Sequence, residues 1–209
     1  MRKLIILLLS LPRLLLAQEM PAFPTNRVND YEALRAWFAD TPYTLAEFEM
    51  TRTMPSGRQL KSRGTFEFRR GVGMMWRTEF PVRNAMVISP DWLTSYDARG
   101  RVIRQLSLSG APSARFTGAF MQELKLEFIR QMEHAFFLTS RSSAQSDTLV
   151  LGMKSRHEAS DLRWLLLVVR KRILEQVFYE STRQGLTHVR FRNVRHSQVV
   201  PEQGFQLVP

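Results

Sequence analysis

The sequence predicts a mainly β fold, an antiparallel meander that closes into a barrel or half-barrel and carries two helices. Apolar and polar residues begin to alternate with a period of two at Thr44, and later segments repeat this pattern. These segments are closely spaced, and turn residues such as Pro55-Ser56-Gly57 and Arg183-Gln184-Gly185 separate several of them. The length of 209 residues, of which 44% are apolar, suits one domain with one sizeable core.

Composition restricts the chemistry that is available to the chain. It contains no cysteine, which excludes disulfides, cysteine-based zinc sites and thiol nucleophiles. The formal net charge is +11, but lysine and arginine are spread along the whole chain and no nucleic-acid-binding motif accompanies them. An anionic membrane surface or an acidic protein fits this charge better as a partner. A solvated basic surface explains it equally well.

The first seventeen residues, MRKLIILLLSLPRLLLA, have the pattern of an export signal. A basic start, an apolar run and a small residue at Ala17 predict a cleavable signal peptide over 1–17, with one domain over 18–209. Pro12 and Arg13 interrupt the apolar run, so it is too short and too broken for a transmembrane helix. A retained anchor is the alternative. We expect a soluble product outside the cytoplasm.

A short helix is predicted to open the mature domain. Asn29 can cap its start, with Glu32 in the capping-box position. An apolar face follows, and Thr41-Pro42 ends the helix; the residues of that face are Leu34, Trp37 and Phe38.

The first three strands each place their even-numbered apolar residues on one face. The segment TLAEFEMTRTM from Thr44 puts Ala46, Phe48, Met50, Arg52 and Met54 on that face. The strand RQLKSRGTFEFRR puts Leu60, Phe66, Phe68 and Arg70 there, and Arg69 on the opposite one. After Gly71-Val72-Gly73, the third strand contributes Met74, Trp76, Thr78 and Phe80, and Pro81 ends it.

Seven further strands and one inserted helix complete the predicted elements. The helix spans about Ala119–Glu133, where apolar residues recur every four positions. The predicted strands are Ala85–Ser89, Trp92–Tyr96, Arg101–Leu108, Asp147–Lys154, Arg163–Arg170, Ile173–Ser181 and Leu186–His196.

No catalytic or metal-binding motif is present in the sequence. The four histidines form no metal-ligand pattern, Gly71-Val72-Gly73 lacks the context of a nucleotide-binding loop, and Asp91 and Asp97 fit turn positions. We therefore expect no enzyme activity, no metal and no cofactor. The chain is instead rich in large, soft apolar side chains, with 14 Phe, 10 Met and 4 Trp. They either fill a core, which composition alone favours, or line a surface that adapts to variable contents.

The block from Thr44 to Asp97 resembles the LolA family of bacterial outer-membrane lipoprotein carriers. The family's motifs are an F-x-Q strand, a strand that begins with Gly, an R-P-x-x-F-x-W element, V-S-D-G and L-W-x-Y-D/N. The matching residues are Phe48-Glu49-Met50, Gly64-Thr65-Phe66, Arg69-Arg70 through Trp76, Pro81, Val87-Ile88-Ser89 and Leu93 through Asp97. The carboxy-terminal part is more loosely similar, with two strands around a Gly turn.

The resemblance implies an open antiparallel half-barrel of about eleven strands, with an N-terminal helix and a lid helix over an apolar cavity. It implies a periplasmic, monomeric carrier that shelters the acyl chains of lipoproteins and delivers them from the inner to the outer membrane. The implied partners are an inner-membrane transporter and an outer-membrane receptor lipoprotein, with transient contact to membrane surfaces.

The implied site is an apolar cavity with a lid and a latch. Nine residues are predicted to face this cavity, seven from the alternation within their strands and Met86 and Ile88 from the family register. They are Phe48, Met50, Phe66, Phe68, Met74, Trp76, Phe80, Met86 and Ile88. The lid would contribute Phe120, Leu124 and Phe128. The arginine that matches Arg70 governs lid opening and release in the family; an end-of-strand arginine reaching solvent is the structural alternative.

Several residues depart from the family pattern. Arg70-Gly71 stands in place of Arg-Pro, Pro90-Asp91 in place of Asp-Gly, and Thr94 where the family often has Trp. Two alternatives therefore stay open. One is a similar carrier for another lipid, of aryl-polyene or glycolipid type, and the other is a module that senses lipoproteins without transporting them.

Overall fold

The computed structural model describes residues 20–29, 42–108, 136–157, 161–202 and 205. The predicted signal peptide, the predicted lid helix with Phe120, Leu124 and Phe128, and all but the first residue of the predicted N-terminal helix lie outside these residues. Within the described part, no helix is long and apolar enough to cross a membrane.

Eleven strands form one antiparallel sheet in the order β6-β5-β4-β3-β2-β1-β11-β10-β9-β8-β7. Two meanders, β1 to β6 and β7 to β11, join where β1 pairs with β11. The sheet is open because β6 and β7 are edges, so the half-barrel is confirmed and the closed barrel is wrong. The strands are β1 Tyr43–Thr53, β2 Gln59–Arg69, β3 Gly73–Phe80, β4 Asn84–Ile88, β5 Trp92–Tyr96, β6 Val102–Ser107, β7 Phe136–Ser143, β8 Thr148–Ser155, β9 Leu162–Arg170, β10 Ile173–Ser181 and β11 Gly185–Ser197.

Two apolar clusters cover the inner face, which is the face that the curled sheet turns toward itself. One cluster lies under β7 to β10 and has Met153 and Leu167 at its centre, both almost fully buried. The other spans β1 and β11, where Phe48 lies opposite Phe191 in the strand register. The alternation read from the sequence thus assigns Phe48 and its even-numbered neighbours to the inner face.

A third apolar cluster lies on the outer face, where Phe23 and Trp164 pack edge to face with ring centroids 6.1 Å apart. Gly152 is required here, because a Cβ on this residue would lie 2.6 Å from the ring of Phe23. The sheet therefore buries apolar residues on both faces in this half.

The segment 20–29 wraps around the β7 edge of the sheet. Val28 donates its backbone N–H to the carbonyl of Leu138, and Ser140 donates to the carbonyl of Asn26. Phe23 packs on the outer face, whereas Val28 joins the inner-face cluster. These bonds satisfy part of the edge of β7, which would otherwise be left unpaired.

Candidate functional site

A large cavity lies on the inner face, where the curled sheet brings β1 to β6 opposite β9 to β11. Its volume is about 1190 Å³, above the roughly 300–1,000 Å³ that is usual for drug-sized ligands. The lining is mainly apolar, with one wall from β1, β3 and β4 and the opposite wall from β9, β10 and β11. The apolar residues of the second wall are Leu162, Leu165, Val177, Tyr179 and Val189.

An aromatic cluster lies at the first wall of this groove. Phe48 and Trp76 line the cavity, and Phe66 and Phe191 pack against Trp76 without lining it. The Trp76 ring lies 4.7 Å from the ring of Phe66 and 5.7 Å from that of Phe191, measured between centroids. Phe48 completes the cluster and is almost fully buried. The rings meet at tilted or edge-on angles, which is the favourable geometry for aromatic pairs.

The structure brings seven of the nine sequence-predicted cavity residues together along the groove. They are Phe48, Met50, Met74, Trp76, Phe80, Met86 and Ile88. The other two are on the same face but do not line the cavity. Phe66 packs against Trp76 and Phe191, and Phe68 lies opposite Met74 at the end of β2.

In the part of the chain that the structure describes, the groove opens at the end where β2 begins and β3 ends. Three apolar side chains on its rim are substantially exposed: Leu60 at 41%, Phe80 at 51% and Val82 at 67%. The cavity wall is therefore continuous with exposed apolar surface at this mouth.

Polar side chains also enter the groove near its mouth. Arg52 and Ser62 line it, and the Nε atom of Arg52 and the Oγ atom of Ser62 are both buried without a hydrogen-bond partner among the described residues. The alternation in β1 predicts that Arg52 lies on the inner face, but it assigns Arg52 no role. The available signal was an arginine within an otherwise apolar even-numbered series.

The structure places Arg70 just after β2 rather than within it. It is partly buried, and its backbone N–H donates to the carbonyl of Pro42. The strand ends one residue earlier than predicted because Gly71, with φ of 73°, begins the turn to β3. Arg70 thus lies at the junction of β2 with the start of β1, and its role as a latch stays a prediction.

Arg69, predicted to face outward, does lie on the outer face but is buried there. Its guanidinium pairs with the Glu67 carboxylate, with Nε donating to Oε1 at 2.7 Å. It also donates to the carbonyl of Pro201 and lies 4.7 Å from the centroid of the Phe205 ring. Burial, reinforced by the Glu67 charge, raises the pKa of the neighbouring Tyr43. These contacts hold the carboxy-terminal residues against the sheet.

One partly buried histidine of the sheet has a shifted pKa. His188 lies on the outer face, stacked on Phe178 with ring centroids 4.1 Å apart, and burial lowers its pKa. Among the described residues, no group of three or more histidine or carboxylate side chains is placed to hold a metal ion. The arrangement around the cavity is suited to binding by apolar contact.

No protein-family model matches the chain. No curated protein matches its sequence significantly either.

Solved structures give low-identity matches. A LolA superfamily protein from Nitrosomonas europaea is 9% identical with a TM-score of 0.41; the match covers 82% of this chain and 93% of that chain. A putative outer-membrane lipoprotein-sorting protein domain from Vibrio parahaemolyticus is 12% identical with a TM-score of 0.45, covering 82% and 92%.

A chain of the MucA/MucB complex of Pseudomonas aeruginosa is 14% identical with a TM-score of 0.42. The match covers 84% of this chain and 62% of that one. With identities of 9% to 14% and TM-scores below 0.5, these structures are similar to the chain and assign it to no family.

Proposed function

We propose that this protein is a lipid carrier that shelters acyl chains in the groove on the inner face of its half-barrel. The observation that supports this most is the mainly apolar lining of a cavity of about 1190 Å³, to which both walls contribute aromatic and aliphatic side chains. A globular protein normally fills such a space with its own side chains. A groove of this size that opens at an apolar rim suits a long, flexible apolar ligand.

The energetics of acyl chains explain why such a carrier is needed. Each CH₂ group in water costs about 0.8 kcal/mol, so a sixteen-carbon chain costs on the order of 12 kcal/mol. Free diffusion of an acylated molecule between two membranes is therefore negligible. Met50, Met74 and Met86 lie along the groove, and their unbranched side chains can adapt to acyl chains of different shape.

The specific form of the proposal is a periplasmic carrier of acylated lipoproteins. The order of the motifs between Thr44 and Asp97 supports it, together with the export signal expected over 1–17. In this proposal an inner-membrane transporter loads the groove and an outer-membrane receptor lipoprotein empties it. Without Arg2, Lys3 and Arg13 of the expected signal the formal charge is 11 − 3 = +8, which is compatible with a transient approach to anionic membrane surfaces.

Native mass spectrometry of protein purified from the bacterial envelope tests this function. We expect an added mass that matches an acylated species and is lost on extraction with organic solvent. The same protein should withdraw an acylated lipoprotein from membrane vesicles, whereas a matched non-acylated form should stay unbound. Reproducibly empty protein that also withdraws nothing from vesicles would contradict the proposal.

A further inference from the structure

Three buried polar side-chain atoms without a hydrogen-bond partner lie on the inner face. They are Arg52 Nε, Ser62 Oγ and Thr187 Oγ1. The described residues contain four buried side-chain nitrogen or oxygen atoms without a hydrogen-bond partner. The fourth is on Arg77 and belongs to another part of the sheet. Buried polar atoms are nearly always paired, so three unpaired ones on one face require an explanation.

The strand register places these three residues in one corner of the inner face. Arg52 on β1 lies directly opposite Thr187 on β11. Ser62 on β2 lies opposite Met50, two residues before Arg52, and is therefore a diagonal neighbour of Arg52 on the same face. Thr187 is fully buried beside Arg52, while Arg52 and Ser62 line the groove.

This corner is at the mouth of the groove, not in its depth. Arg52 lies opposite Leu60, one of the exposed residues of the rim. Phe48, which closes the aromatic wall, is about 13 Å further along β1. A ligand with its tail against Phe48 and Trp76 would therefore bring its head to Arg52 and Ser62.

No carboxylate neutralises Arg52 in the described part of the chain. The nearest acidic residues along β1, Glu47 and Glu49, point to the outer face, where Glu49 pairs with Arg192 and Glu47 accepts from Asn193. Arg52 takes part in none of the ion pairs found among the described residues. A guanidinium that is partly desolvated and unpaired is stabilised most by an anionic acceptor, which its planar donors bind in a forked geometry.

We propose that Arg52 and Ser62 bind the anionic head, a carboxylate or phosphate, of an amphiphile whose acyl chain occupies the groove. The Arg52 guanidinium would donate to the anion, and the Ser62 hydroxyl would add a further donor. The inference rests on the proposed function, since it assumes that the groove holds an acyl chain. The carrier would then distinguish anionic amphiphiles from neutral ones by the charge of the head group.

Competition binding with matched sixteen-carbon ligands tests this inference. Palmitate, hexadecyl phosphate and the neutral hexadecanol would each displace a fluorescent acyl probe from the intact protein, below their aggregation concentrations. We expect both anionic ligands to bind roughly tenfold more tightly than hexadecanol, as expected for a charge-assisted hydrogen bond. Inorganic phosphate alone should displace nothing, because it has no tail to occupy the groove.

Variants at Arg52 separate its charge from its bulk. Arg52→Gln should lower the affinity for palmitate and hexadecyl phosphate to about that for hexadecanol, and Arg52→Lys should retain part of the preference for the anionic ligands. Arg58→Gln, in the exposed turn of the same hairpin, is the matched control and should behave as wild type. Thermal melts of each variant establish that the fold is intact.

Three results would overturn the inference alone. They are equal binding of all three amphiphiles by the wild type, an equal loss of palmitate and hexadecanol binding in Arg52→Gln, and displacement of the probe by inorganic phosphate. Failure of every sixteen-carbon ligand to bind would instead contradict the proposed function as well as the inference.

Discussion

The rings of Phe48 and Trp76 meet edge to face, with their centroids 5.0 Å apart and their planes at 71°, although their strands are not neighbours. β2 lies between β1 and β3, and the residue of β2 that lies opposite Phe48 is Gly64. Gly64 lets the backbones of β2 and β3 approach closely at this position, since a Cβ on it would meet the backbone oxygen of Arg77. The contact between the two rings therefore spans β2 next to a close approach of β2 and β3 that requires glycine.

Trp76→Ala should weaken acyl binding by roughly tenfold or more, because it removes a large apolar contact worth about 1–3 kcal/mol. Displacement of a fluorescent acyl probe measures this effect. Trp92→Ala is the matched control, since Trp92 is exposed on β5 and does not line the cavity. Equal effects of the two substitutions would contradict the placement of the ligand against Trp76.

Gly64→Ala should destabilise the fold by about 2 kcal/mol, which corresponds to roughly 4–8 °C in melting temperature. The added Cβ would lie 1.8 Å from the backbone oxygen of Arg77, so β2 and β3 would have to separate. Gly57→Ala provides the contrast, because its Cβ would meet no atom within 4 Å and only its φ of 81° opposes a side chain. A thermal melt that shows a smaller loss for Gly64→Ala than for Gly57→Ala would be inconsistent with this packing.

Arg70→Leu should allow loading and impair hand-off, if Arg70 is the residue that couples release to the lid. The measurement is a two-step assay, in which the carrier first takes acylated lipoprotein from vesicles and then transfers it to acceptor membranes carrying the receptor. Arg58→Leu, at an exposed turn position, controls for loss of charge. Transfer by Arg70→Leu at the wild-type rate would leave Arg70 with a structural role only.

Stability should fall as the pH is lowered from about 8 to 5.5. Burial lowers the pKa of both His188 and His196, and the Arg190 charge lowers that of His188 further. A histidine with a lowered folded-state pKa stabilises the fold above its ordinary pKa, near 6.5, and this contribution is lost as the pH falls through the folded-state value. As the pH falls, the unfolded chain binds a proton at each of these histidines before the folded chain does, and this favours unfolding.

Melting temperatures across this range measure the effect. His188→Gln should flatten the pH dependence of the melting temperature, whereas His157→Gln, at an exposed position, should leave it unchanged. A wild-type melting temperature that rises as the pH falls through this range would show the opposite sign to the one expected.

The alternation of residues predicted the first three strands because their inner-facing residues are mainly apolar and their outer-facing residues largely polar. Turn residues separate several of the later strands, of which β8 and β9 are buried on both faces. Trp92–Tyr96 and Ile173–Ser181 have the same bounds in the sequence analysis and in the structure. β7, Phe136–Ser143, was missed because only its first three residues alternate in burial and its second half is rich in serine. Its position at the edge next to residues 26–28 is a tertiary feature that no local pattern encodes.

The site was predicted in part for the same reason. The alternation of residues along each strand brings Phe48, Met74 and Trp76 to one face. It does not show which inner-face residues reach the cavity and which, like Phe66, pack behind it. The burial of Arg69 depends on partners far along the chain. The unpaired state of Arg52 depends on the lack of such a partner among the described residues. Arg69 is covered by Pro201 and Phe205, and sequence spacing does not reveal such a contact.

Photo-crosslinking of a sixteen-carbon acyl analogue, mapped by peptide mass spectrometry, tests the central claim most directly. A diazirine near the end of the tail should label peptides that contain Phe48, Met74, Trp76 or Met86, and excess palmitate should suppress the labelling. Labels confined to outer-face residues such as Phe23, Trp164 or Phe178 would contradict the claim that the inner-face groove holds the acyl chain.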